Sequence, residues 1–267
     1  MNTINPLSLH KGNIDLDPEQ SHSLSTEWSV FDSFSFTSFF ARLNASYTKD
    51  KINWSRTINE NLEQTVMPVN VDYDYRAGAG FDFRTPVRRL GIEISANLNE
   101  SWNRGINVIN SQNNINTNLS HSIKLTINNR KKNKWDASGG ASVSMTDTWY
   151  SIQEELNNRY FNFSYFTDIR FTPNDHWHFR CSASVINYNS ISFNESLEIP
   201  LIGAEINYYF LSGNRAVITL AAIDILDKNT SFQRISDVNY LMQRNTNVLG
   251  RYVLISFKYR MNKFVGK

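Results

Sequence analysis

Residues 69–84 read VNVDYDYRAGAGFDFR, with apolar side chains at every odd position and polar residues or glycine at every even one. Strict period two over such a length predicts a single long β-strand with two chemically opposite faces. Ordinary strands run to about five or six residues, whereas a tilted strand crossing a membrane needs about nine to eleven. The pattern recurs. Residues 22–30 set Leu24, Trp28 and Val30 against Ser23, Ser25, Glu27 and Ser29, and a strand at 34–48 follows. Residues 89–102, 115–127 and 135–149 repeat the alternation. So do a strand carrying Phe161, Phe163, Tyr165, Ile169 and Phe171, and the segments 177–189, 197–210, 215–223 and 249–260. That makes about eleven strands, with a partial one expected before residue 10.

Two kinds of connection separate them. Short turns are expected at 31–33, 85–88, 128–134, 172–175 and 211–214, and longer polar loops at 49–65, 103–114, 150–158 and 224–247. Regularly spaced antiparallel strands fit a sandwich or an up-and-down barrel, and tight turns at one end with long loops at the other fit an outer-membrane barrel. Energetics favour the barrel. Asp72, Asp74, Arg76, Asp82 and Arg84 share one face, and a basic residue at the bilayer midplane costs about 2–4 kcal/mol, so that face must look into a wet lumen. The opposite face carries no charge. Trp28, Trp102, Trp135, Trp149, Trp177 and Tyr259 lie near strand ends, where interfacial aromatic girdles belong. A soluble β-sandwich is the competing fold. The expected class is all-β: an antiparallel up-and-down transmembrane barrel with about eleven to twelve strands in 1–267.

Composition changes this picture little. The chain has 267 residues, and its 40% hydrophobic content is compatible with a barrel in which only alternate residues face lipid. No apolar run reaches the roughly eighteen residues of a transmembrane helix. A net charge of +2 gives no footprint for nucleic acid. The basic run Arg130, Lys131, Lys132, Lys134 reads as solvated turn chemistry. The one cysteine, Cys181, is expected as a packed thiol beside Phe179 and Ala183. His176 and His178 flank Trp177 without a third metal ligand in view. MNTINPLSLHKGNIDLDPE has neither a basic nor an apolar leader region, so no signal peptide is expected.

Three segments carry a family resemblance. Asn5-Pro6-Leu7 and Gly12-Asn13-Ile14-Asp15-Leu16-Asp17-Pro18-Glu19 resemble the GNPxLxPE signature of TonB-dependent outer-membrane receptors, with Ile14 where the family has proline. Leu249-Gly250-Arg251-Tyr252-Val253-Leu254-Ile255-Ser256-Phe257-Lys258-Tyr259-Arg260 resembles that family's closing strand, LGRYxxLSFxYR. Ile199-Pro200-Leu201, Tyr208-Tyr209-Phe210 and Asn214-Arg215 are similar to its penultimate hairpin. The resemblance implies that 1–267 is the C-terminal portion of a barrel of about twenty-two strands, without the plug domain. It also implies that Pro18-Glu19 is extracellular and the C-terminus periplasmic.

From this follows an expected function: TonB-dependent uptake of a nutrient such as a siderophore, glycan or peptide, in the outer membrane. The loops at 49–65 (with Trp54), 103–114 and 224–247 would capture ligand. The alternative is a small stand-alone barrel, passive or structural and not coupled to TonB. Expected partners are outer-membrane lipid, the N-terminal half with its plug and through it TonB, the barrel-assembly machinery and a surface lipoprotein, but no nucleic acid. No enzyme is expected, and no catalytic, cofactor-binding or metal residue is assigned. Ser142 and Ser144 belong to the polar face without a base in reach, and His121 falls on the mainly apolar face of its strand.

Overall fold

The computed structural model describes residues 8–61, 63–152, 154–190, 196–237, 240–246 and 248–261. Eleven long strands form an antiparallel meander: β2 (Gln20–Asp32), β3 (Thr37–Ile58), β4 (Gln64–Val87), β5 (Ile92–Ile109), β6 (Gln112–Asn129), β7 (Trp135–Tyr150), β8 (Asn158–Phe171), β9 (Trp177–Ser190), β10 (Leu197–Phe210), β11 (Ala216–Ile223) and β14 (Tyr252–Tyr259). The expected partial strand is β1 (Ser8–His10), which pairs in parallel with the start of β4. An unforeseen hairpin, β12 (Ser231–Asp237) and β13 (Tyr240–Thr246), occupies the long connection before β14. The sheet does not close on itself. Among the described residues β2 pairs only with β3, and β14 only with β11.

The short turns are closed by local chemistry. Asp32 accepts the Phe34 N–H at 3.0 Å and the Ser35 hydroxyl at 2.5 Å. Gly91, at φ 65°, completes the turn after β4. Asn129 donates to the Lys131 and Trp135 carbonyls and accepts the Ala137 N–H, folding the basic run into a compact loop.

At the opposite end the expected long loops at 49–65 and 103–114 are strand. β3 runs to Ile58, β4 starts at Gln64, and β5 and β6 are joined by Asn110 and Ser111 alone, at φ 49° and 65°. Both residues take the left-handed conformation of a type I′ hairpin, which asparagine tolerates well. These strand extensions form two hairpin arms.

The β3–β4 arm reverses the strand order. Below Asp50 the neighbours run β2-β3-β4-β5, with Asp74–Val87 of β4 paired to β5. Beyond it β4 faces β1, while Ser55 and Arg56 of β3 pair in parallel with Val108 and Ile109 of β5. Asp50, at φ 51°, marks the change. Side chains lock it. Asn70 donates to the Asp50 carbonyl at 2.7 Å and to the Asp17 carbonyl at 2.9 Å, and accepts the Asp17 N–H at 2.8 Å. Glu19 accepts from Lys51 Nζ at 2.6 Å and the Ile52 N–H at 2.8 Å. Asn53 donates to the Ile106 carbonyl at 2.7 Å, and Asn110 accepts the Ile58 N–H at 2.8 Å.

Candidate functional site: the two faces of the sheet and the arm end

Register carries each face across the sheet. On the polar face Arg42, Gly80 and Asn99 lie in one row, and Lys124, Ser142 and Ser164 in another. This face is a continuous hydrogen-bonding surface. Arg76 pairs with Asp74 at 2.8 Å, Arg180 with Asp168 at 2.7 Å, and Arg84 with Glu93 at 3.6 Å. Ser142 bonds Ser164 at 2.7 Å, Ser120 bonds Thr146 at 3.1 Å, and Thr219 bonds Asn207 at 2.6 Å. The Phe166 ring lies over Gly140 and carries Lys124 at 5.0 Å on its face. A Cβ on Gly140 would collide with the Leu125 carbonyl oxygen, so the close approach of strand and ring requires glycine here.

At the arm end of this face lies a group of buried polar atoms. Asn114 is fully buried; its Oδ1 takes the Ser151 N–H at 3.1 Å, while its Nδ2 has no partner. The Asn116 Oδ1 and the Tyr160 hydroxyl are likewise buried without a protein partner. Buried polar atoms of this kind are commonly satisfied by ordered water. Two strands away on the neighbouring arm, Trp54 is half exposed and meets His10 edge-on at 6.3 Å. Three asparagines of the expected capture loops, Asn53, Asn59 and Asn110, are engaged in holding backbone, as is Asn70 in the strand that follows. Trp54 remains as surface that a solute can reach.

The expected site residues scatter. Ser142 and Ser144 do lie on the polar face, but His121 lies on the opposite one, so the sheet separates them. The carboxylate of Glu100 meets His121 Nδ1 on the apolar side. Glu100 was legible as the one charge breaking the apolar series Ile92, Ile94, Ala96, Leu98. His176 Nδ1 faces the Tyr209 carbonyl at 2.8 Å, and His178 packs on the Tyr209 ring at 4.5 Å. Among the described residues no three His, Cys, Asp or Glu converge as a metal set. Cys181, expected as packed, is exposed on the apolar face between Ile169 and Ala204, because no protein layer lies over that face.

The uncovered apolar face decides between sandwich and barrel. Leu24 and Ile255 are each 73% exposed, Phe257 65% and Trp28 62%, and no second sheet packs on them. A soluble sandwich buries such a face between two sheets; a membrane barrel turns it to lipid. Aromatic rows bound the face at both ends. Trp28, Phe39 and Phe81 line the short-turn end at ring distances of 5.5 and 6.4 Å, while Tyr47, Tyr75 and Trp102 line the arm end at 4.9 and 6.5 Å. Phe39 and Tyr47 are eight residues apart, about 27 Å along the strand, which fits an apolar band of about 25 Å crossed at a tilt. The family described as outer membrane protein beta-barrel family matches residues 1–259. The chain belongs to the outer membrane protein β-barrel family. Curated proteins give no match to it. In this outer-membrane barrel protein the apolar face meets lipid, the polar face lines the interior, and both arms run beyond the aromatic belt into water.

Proposed function

We propose that the chain is the C-terminal part of a TonB-dependent outer-membrane receptor that takes up a scarce polar nutrient. The observation that carries this reading is the direction of the free edges. Eleven strands alternate in direction from β2 to β14, so the first and last run the same way. Antiparallel closure therefore calls for an odd number of further strands from another segment. About eleven more complete the roughly twenty-two strands that the resemblance implies. An N-terminal half of that size would also bring the plug through which TonB supplies energy.

In this reading Pro18-Glu19, the arms and the Asn114 group face the extracellular medium, and the C-terminus is periplasmic. Trp54 then stands at the ligand-capturing mouth. Assembly would pass through the barrel-assembly machinery, which reads the closing strand around Phe257 and Tyr259, and a surface lipoprotein would cap the arms. No chemistry is assigned to the interior beyond hydrogen bonding and charge.

The test is growth of the source bacterium on single limiting nutrients after deletion of the coding region for β2 to β14. The expected result is a defect on one nutrient class that a TonB-deficient strain reproduces without additive effect. Uptake that survives loss of TonB, together with passive leak of small solutes through reconstituted protein, would instead establish the uncoupled barrel.

A further inference from the structure

The lipid-facing surface is not uniform. Between Leu24 on β2 and Trp102 on β5 it sinks into a groove of about 430 Å³, floored by Ala45, Ala77 and Ala79. A second hollow of about 390 Å³ shares Leu24, Ala45, Ala77 and Trp102 with it and reaches the Tyr47–Tyr75 stack at the belt. Together they form one furrow running from the aromatic belt into the apolar band. The cause lies in the sequence: alanine at positions 45, 77 and 79, where the flanking strands carry leucine and tryptophan.

Thr26 and His22 line the β2 side of this furrow, and an acidic group stands on the β5 side. Glu100 lines it and is hydrogen-bonded to His121 on β6. Both side chains are about one-third exposed. An ionisable pair on a lipid-facing surface is costly unless something polar meets it, so it marks a functional position. Four residues further along the same face, Arg104 is exposed at belt height beside Tyr75. It has no ion pair or hydrogen bond among the described residues, whereas Arg159, three strands away on β8, is closed on Asp147 at 2.5 Å.

We propose that this furrow seats one anionic membrane lipid whose acyl chain carries a hydroxyl or amide group close to its headgroup. The chain lies over the alanine floor. Arg104 takes the headgroup phosphate, since a guanidinium matches phosphate in charge and geometry. Glu100 lies two residues inward of the belt residue Trp102, about 7 Å along the strand, where a headgroup gives way to the first polar atoms of its chains. With His121 on one carboxylate oxygen, the other oxygen of Glu100 needs a donor. An ester-linked chain offers only acceptors, whereas a hydroxyl or an amide N–H supplies that donor. This inference rests on the apolar face meeting lipid, and holds whether or not TonB drives the barrel.

The test uses the intact protein, extracted from its own outer membrane in mild detergent. Retained lipid is counted by native mass spectrometry and identified by fragmentation. Wild type is expected to hold one anionic lipid with a hydroxyl- or amide-bearing chain. Arg104→Gln, and the double variant Glu100→Leu with His121→Leu, should each lower its occupancy at least fivefold, and Ala77→Leu, which fills the floor, should abolish it. The leucine variants make the lipid face more apolar, so folding is preserved, and heat-modifiable migration checks this. Leu125→Ala, outside the furrow, should change nothing. Equal retention in all variants would overturn the proposal, as would recovery of only ester-linked phospholipid or crosslinking of a second polypeptide at position 100.

Discussion

Asn70→Ala tests whether the reversed arm is held by the clasp described above. Asn70 makes three hydrogen bonds, of 2.7, 2.8 and 2.9 Å, tying the arm to Asp50 and Asp17. A net hydrogen bond is worth about 0.5–1.5 kcal/mol, and the side chain is only half-buried, so the lower part of that range applies, about 0.7 kcal/mol each and about 2 kcal/mol for the three. That equals roughly a 30-fold rise in the population of the open arm. Hydrogen exchange followed by mass spectrometry on the membrane-embedded protein reads this directly. Amides of 50–58 and 64–72 should exchange roughly 30-fold faster, because local opening limits their exchange. Amides in β6 to β9 should keep their wild-type rates. Unchanged exchange in the arm would refute Asn70 as its pin, and uniform acceleration across the sheet would refute a local unit held by local bonds.

Gly140→Ala pushes a Cβ into the Leu125 carbonyl and the Phe166 ring; overpacking of this kind costs about 1–3 kcal/mol and should lower the temperature at which the folded band is lost in heat-modifiability gels. Leu125→Arg, in the middle of the apolar band, should cost about 2–4 kcal/mol and deplete the protein from outer-membrane fractions, while Thr126→Arg on the polar face should be tolerated; equal depletion would mean the faces are assigned wrongly. The Lys51 ammonium, then the Ile52 N–H, hold the Glu19 carboxyl below its ordinary value of 4.5, so its contribution to the clasp is complete above that pH and lost as pH falls through the lowered value. Arm exchange, corrected for intrinsic rates, should therefore rise on acidification in wild type and stay flat in Glu19→Gln.

The strands were legible where the two faces meet opposite solvents. In β4 every residue from Val69 to Arg84 declares its side, and the register keeps all of them there. Past the aromatic belt both faces are wet, so selection for alternation ends although the backbone continues as strand. That is why 49–65 and 103–114, rich in asparagine, read as loops and fold as arms. The order reversal at Asp50 left no pattern, because it depends on one left-handed aspartate and on bonds from residues up to 53 positions away. At the arm-end group, the buried state of Asn114 follows from Tyr150 and Ser151 closing over it, a contact between distant segments. His121 was visible on the wrong face for a catalytic base, but its partner Glu100 emerged only with the β5–β6 register.

The shared direction of β2 and β14 also governs whom this sheet can join by mistake. In a membrane every copy inserts the same way up, so any seam between two copies, whichever edges meet, is a parallel one. Parallel pairing is slightly weaker than antiparallel, and each pair of consecutive strands in the meander is antiparallel. Exposed strand edges ordinarily invite self-association. Here the odd strand count makes homotypic zippering the poorer match and reserves the best seam for a segment whose border strands point the other way. Strand polarity thus biases edge pairing before any side chain does.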